Sequence, residues 1–102
     1  MKYHKLVRDR IPEIIRKKGK VPKTHTVAYT EYYERLEEKL SEEVREFVDS
    51  DNPSELADIL EIVYALAEYR GISKDELERI RKEKAEQRGS FDKKIILDEV
   101  GD

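Results

Sequence analysis

With 102 residues, the chain has material for one hydrophobic core and not for a second. Charged residues make up 44% and apolar residues 37%, yet the formal net charge is only -3 and the two signs interleave, so neither nucleic acid nor a membrane is an expected partner. Without cysteine, a disulfide scaffold, a thiolate zinc site and a cysteine nucleophile are excluded.

The apolar residues are clustered in patterns rather than thinly spread, so the chain is expected to fold, as a single domain over residues 1–102. The opening Met1-Lys2-Tyr3-His4 lacks the features of a signal peptide, and nothing approaches the roughly 18 apolar residues of a membrane span. A cytoplasmic protein is the expectation. The first helix is predicted around Pro12, running through Ile14 and Ile15 to a basic end, Arg16-Lys17-Lys18, before Gly19. Residues 21–29, with Thr24, Thr26 and Val27, are β-friendly, as are residues 94–97 in the tail. The two segments can pair as a small two-stranded sheet.

A long amphipathic helix is predicted from Thr30, read as its N-cap, to Asp49, with Leu36, Leu40, Val44, Phe47 and Val48 at helical spacing. Asp51-Asn52-Pro53 forms a turn and supplies Asn52 as cap, Pro53 at the first helical position and Glu55 three residues after the cap. The third helix runs from there to near Gly71. Ser73 with Glu76 repeats the capping pattern and starts a charged fourth helix that ends near Gln87, with Gly89 as its stop. The fold class is therefore mostly α, an antiparallel hairpin at the core of a four-helix bundle. In the third helix Leu56, Ala57, Ile59, Leu60, Ile62, Val63, Ala65, Leu66 and Ala67 leave almost no polar face. Such a helix requires burial on every side, so a homodimer or higher homo-oligomer is expected.

Glu43 and Glu46 lie three apart on the second helix, and Glu55 and Asp58 three apart on the third, so each pair shares a helix face. A hairpin centred between Ser50 and Asp51 puts Glu43 level with Asp58, and Glu46 level with Glu55. Packed helix axes lie roughly 8 to 10 Å apart, a gap that facing carboxylates and a cation can span. Without a cation the clustered charges raise one another's pKa. On a helical wheel Glu43 borders the apolar stripe, Glu46 lies one step beyond, and Glu42 falls nearly opposite Leu40, on the solvent side. Lys39 sits between Glu43 and Glu46 and one turn earlier, placed to meet a phosphate or to neutralise the pair. Asp58, in the most apolar helix, has the least structural explanation, because burying an unpaired carboxylate is costly.

An all-oxygen ligand set selects a hard cation, Mg²⁺ with Mn²⁺ as substitute, and suits chemistry on phosphate esters and anhydrides. Each feature also has a plain structural reading. Glutamates at this spacing are ordinarily solvated surface, Glu55 is a natural capping residue, and Glu61 fits a peripheral salt bridge. His4 and His25 lack a second ligand at metal spacing and are read as structural, while Tyr29, Tyr32 and Tyr33 are read as packing.

The stretch K-L-S-E-E-V-R-E-F (Lys39, Leu40, Ser41, Glu42, Glu43, Val44, Arg45, Glu46, Phe47), followed by E-L-A-D-I-L-E-I from Glu55 to Ile62, resembles the E-E-x-x-E and E-x-x-D motifs of the all-α nucleotide pyrophosphohydrolases, the MazG-like and phosphoribosyl-ATP pyrophosphohydrolase-like superfamily. The opening K-L-V-R-D-R-I-P-E-I-I and the late K-A-E-Q-R-G-S-F are similar to one small branch carrying that domain, so the resemblance covers most of the chain. It implies Mg²⁺-dependent hydrolysis of a nucleoside triphosphate to the monophosphate and pyrophosphate, in a helical oligomer. Glu43, Glu46, Glu55 and Asp58 would be metal ligands, with Glu43 and Glu46 the catalytic pair and one carboxylate free to orient the attacking water. Lys84 and Arg88 match basic positions that resemble phosphate contacts, although cations near a helix C-terminus are favoured by the macrodipole anyway. With Lys39 they form the expected phosphate-binding set, which Lys5 and Arg8 can extend. Eight residues separate Glu46 from Glu55, fewer than is typical of MazG-like enzymes. Two alternatives stand beside this reading: phosphoribosyl-ATP as substrate, and a non-enzymatic helical oligomerisation module.

Overall fold

The structure, a computed structural model, describes residues 4–102. Residues 1–3, most of the opening read above as no signal peptide, lie outside the described residues. The chain is mostly α, with four helices in the described residues: α1 (Ile11–Lys17), α2 (Tyr29–Ser50), α3 (Ser54–Tyr69) and α4 (Lys74–Arg88).

α1 has Pro12 in its first turn, Glu13 beside it and Arg16 and Lys17 in its last turn, charges that complement the helix dipole. α2 is 22 residues long, about 33 Å at 1.5 Å per residue. Its N-cap is Ala28 with no side-chain bond, so Thr30, expected to cap it, lies inside the helix. The first turn is held by tertiary contact instead. The Tyr29 ring stacks on Tyr69 at 4.3 Å and its hydroxyl donates to the Tyr69 carbonyl at 2.9 Å. Tyr33 joins the cluster at 4.7 Å from the Tyr69 ring, and Arg70 donates to the Tyr33 hydroxyl.

The α2–α3 turn is built from the residues that the sequence nominated. Asp51 adopts a left-handed conformation (φ 54°) and its N–H donates to Phe47 at 2.8 Å, closing α2. The Asn52 side chain then accepts from the Ser54 N–H at 3.0 Å, while Pro53, with helical dihedrals (φ -56°, ψ -26°), holds the N-cap position, one residue later than the cap expected at Asn52. At the far end of α3, Ile72 donates to Ala67 at 2.8 Å and Gly71 to Glu68 at 2.9 Å, a Schellman closure that requires the positive φ of Gly71 (76°). Ser73 caps α4 by accepting from the Glu76 N–H at 3.1 Å. α4 leans back on α3, where the Lys74 ammonium lies 4.8 Å from the Tyr64 ring centre.

The core lies between α2 and α3. Leu36 (2% exposed), Ile62 and Ala67 are its buried apolar residues. Much of the apolar stripe stays open, with Val48 at 72%, Leu56 at 49% and Leu60 at 47% exposed. The Cα radius of gyration is 18.1 Å, against about 13 Å for a compact domain of 100 residues. The small sheet is absent. Residues 21–28 and 94–97 form no strand among the described residues, and Ile95, Ile96 and Leu97 are all exposed. A β-friendly composition yields a strand only where a neighbouring chain can take up its backbone hydrogen bonds. Neither segment lies alongside such a partner, and Tyr29 is recruited into α2.

Truncating Leu36 to Ala should cost about 2–5 kcal/mol, whereas Ser73→Ala should cost about 1 kcal/mol through loss of the α4 cap. Urea unfolding of the two variants would show this order in their midpoints.

Candidate metal centre

The α2–α3 turn fixes the heights of the carboxylates. Glu43, Glu55 and Asp58 each present one oxygen within 4.8 Å of the others, and Glu42, Glu43 and Glu46 do the same. The four expected ligands do not form one set: with Glu42, which the helical wheel assigned to solvent, they make two triads that share Glu43, and Glu46 falls in the triad without Glu55 and Asp58. Glu43 is 7% exposed, the only buried charged residue among those described. Its Oε1 lies 3.3 Å from the Lys39 ammonium, while its Oε2 is buried with no hydrogen-bond partner. A buried carboxylate oxygen without a donor is costly, and no neighbouring backbone group relieves it.

Glu42 differs from expectation because of a segment that the wheel does not represent. It is half-buried, paired with Lys5 at 2.9 Å and with Lys39 at 3.4 Å. Residues 4–10, which precede α1 without helical structure, lie along this part of the hairpin. Arg35 donates to the His4 carbonyl at 3.1 Å, Lys5 reaches Glu42, and Arg8 Nη2 lies 2.6 Å from Asp58 Oδ1. Lys5 and Arg8, candidates for phosphates in the sequence, are thus held on carboxylates. Their basic character was visible in the chain; their destination was not. Lys39, expected between Glu43 and Glu46, instead pairs with Glu42 and Glu43 and does not project outward, its side chain being 18% exposed. Lys84 and Arg88 on α4 are exposed and form no ion pair with these carboxylates. His4 and His25 are exposed.

The electrostatics follow from this geometry. Glu46 is held above its ordinary pKa, first by side-chain hydrogen bonding to Glu43 and then by the Glu43 charge. Glu55 is also raised, first by burial and then by hydrogen bonding to Glu43, with the charges of Glu46 and Asp58 adding to it. Glu42 is lowered, chiefly by its hydrogen bond to Lys5, and Lys5 is raised in return. Five carboxylates (Glu42, Glu43, Glu46, Glu55, Asp58) face three cations (Lys5, Arg8, Lys39), leaving two negative charges unmatched. A divalent cation would balance them. Mg²⁺ holds oxygens at about 2.0–2.1 Å, so opposed ligands stand about 4 Å apart, which small side-chain movements can reach from the observed spacing. The donor set, the charge and the unpartnered Glu43 oxygen all fit such an ion.

No family model matches the chain, and no solved structure matches it. An uncharacterized protein of Mycolicibacterium smegmatis (strain ATCC 700084 / mc(2)155) is 50% identical over 46 residues, 45% of this chain and 47% of that protein. The match spans about half the length of that relative.

Because Glu46 and Glu55 have raised folded-state values, the cation-free protein loses stability as pH climbs from the ordinary carboxylate value of 4.5 through theirs. Glu42, with its lowered value, acts in the opposite sense and below that window, losing its contribution as pH falls. Both raised values share Glu43 as a cause. Glu43→Gln should therefore gain stability over the native chain as pH rises from 4.5 to 7, measured as the difference in urea midpoints in EDTA.

Proposed function

We propose that the chain is a Mg²⁺-dependent nucleoside triphosphate pyrophosphohydrolase that releases a nucleoside monophosphate and pyrophosphate. The observation that carries this reading is the buried, unpartnered Oε2 of Glu43 at the junction of two carboxylate triads. The E-E-x-x-E and E-x-x-D motifs supply those same residues, in the order of the MazG-like superfamily. Glu43, Glu55 and Asp58 would hold one ion, with Mn²⁺ as a substitute, and Glu46 and Glu42 border a second position beside Glu43. A bound ion would neutralise the polyphosphate and favour in-line displacement.

The protein's own groups divide the remaining work. Glu46 is exposed and its proton affinity is raised, which suits a residue that accepts a proton from the attacking water. As the water oxygen bonds to phosphorus, the bond to the oxygen bridging the α and β phosphates breaks, and pyrophosphate leaves with that oxygen. Glu43, fixed by Lys39 and by burial, orients the site. Lys84 and Arg88 would reach phosphate by swinging their exposed side chains, while Lys39, expected to join them, stays on Glu42 and Glu43. The proposal includes a cytoplasmic location, in keeping with the finding that no described helix is long and apolar enough to cross a membrane.

A second reading, a helical assembly module, draws on the exposed apolar residues of α3 and α2: Leu56, Leu60, Val44 and Val48. It is compatible with the first, because covering that face with a second copy would complete the core. Leu60→Glu should then shift the protein from dimer or larger to monomer in sedimentation velocity at micromolar concentration. A native chain that sediments as monomer would remove the assembly.

Activity is tested with purified protein, Mg²⁺ and a panel of nucleoside triphosphates that includes phosphoribosyl-ATP. Pyrophosphate release is expected from at least one compound, with Glu43→Gln and Asp58→Asn slowed by about 10²-fold or more, the scale of losing an electrostatic catalytic group. Absence of pyrophosphate from every compound would end the enzymatic reading.

A further inference from the structure

Among the described residues, every ion pair but two joins neighbours three or four apart on one helix. The two exceptions, Lys5–Glu42 at 2.9 Å and Arg8–Asp58 at 2.6 Å, both bring a cation from outside the hairpin onto the acidic cluster. Their backbone is tethered at either end. The His4 carbonyl accepts from Arg35 on α2, and the Arg8 carbonyl accepts from the Ile11 N–H at the start of α1 at 3.0 Å. The two side chains are thus stationed at the cluster by the fold, not by chance surface pairing.

Asp58 belongs to the triad with Glu43 and Glu55, so a cation drawn to that triad competes with Arg8 for the same carboxylate. The pair is easily exchanged. The Arg8 side chain is 56% exposed and that of Asp58 39%, and ion pairs open to solvent to this degree hold weakly. A guanidinium released from a carboxylate at the edge of a metal site stays tethered within reach of whatever anion the metal brings. Its fork of donors matches phosphate oxygens as well as it matches a carboxylate.

We propose that Arg8, assisted by Lys5, is a phosphate-binding residue of the site that waits on Asp58 and exchanges that carboxylate for a polyphosphate oxygen when the divalent cation takes Asp58. The inference rests on the metal-centre reading above. It makes metal and polyphosphate binding mutually reinforcing: the metal alone must displace Arg8 without compensation, whereas metal with polyphosphate gives the guanidinium a new partner. The same exchange moves positive charge from Asp58 to the leaving phosphates, where negative charge develops.

The test separates the two steps. Mn²⁺ binding to the native chain and to Arg8→Ala is measured by electron paramagnetic resonance without any phosphate. Binding of inorganic tripolyphosphate at saturating Mg²⁺ is then measured by calorimetry for both, with Arg8→Lys as the conservative variant. The expected pattern is opposite signs: Arg8→Ala binds Mn²⁺ about threefold or more tighter, yet tripolyphosphate about tenfold weaker, and Arg8→Lys recovers part of the loss. If Arg8 only held its segment in place, its loss would weaken both ligands. If the native chain binds Mn²⁺ and Arg8→Ala binds it no more tightly, or if tripolyphosphate affinity is unchanged, the exchange is overturned while the metal centre stands. If neither protein binds Mn²⁺, the metal centre itself fails, and the exchange with it.

Discussion

The structure is organised around one buried carboxylate. Glu43 lies on the face of α2 that also carries Leu36 and meets α3, so the packing that excludes water from the hairpin also removes it from a charged group. Lys39, one turn earlier on the same helix, compensates one oxygen and leaves the other without a donor. Neighbouring acids become harder to ionise: Glu46 first through its hydrogen bonding to Glu43, and Glu55 first through burial and then through Glu43. Within the hairpin no donor compensates the second Glu43 oxygen, which is a cost to the folded state.

The cations around the cluster are of two kinds, and the difference matters for its chemistry. Lys39 is local, fixed by helical spacing and mostly buried, so it accompanies Glu43 in any state of the site. Lys5 and Arg8 arrive from a non-helical segment, and their pairs are half-open to solvent. Fixed charge sets the resting potential of the site, while mobile charge can be redistributed when a ligand enters. The acids of each triad bring their oxygens within 4.8 Å of one another, so the mobile and the fixed cations act on the same small volume.

The hairpin is also incomplete as a core. Leu56 and Leu60 sit on the helix that carries Glu55 and Asp58, and they remain about half exposed. Any surface that covers them would also stiffen α3 beneath the two acids, coupling assembly to the geometry of the centre. Beyond Gly89 the tail adds further apolar side chains, Ile95, Ile96 and Leu97, that are 77%, 79% and 76% exposed. The dimensions are 62 × 32 × 23 Å.

The sequence by itself determined what depends on near neighbours along the chain. Helix α3 was readable from Asn52 and Pro53, α4 from Ser73 and Glu76, and the levelling of Glu43 with Asp58 from the short turn between them, because capping and helical spacing act within a few residues. Tertiary structure decided the remainder. Thr30 lost the role of cap because Tyr29 stacks on a ring forty residues away; residues 21–28 and 94–97 formed no sheet because neither was delivered to a partner; Glu42 left the solvent side because residues 4–10 cross it. In each case the deciding contact joins segments whose separation in space depends on the path of irregular backbone, and no periodicity in the residues encodes that path.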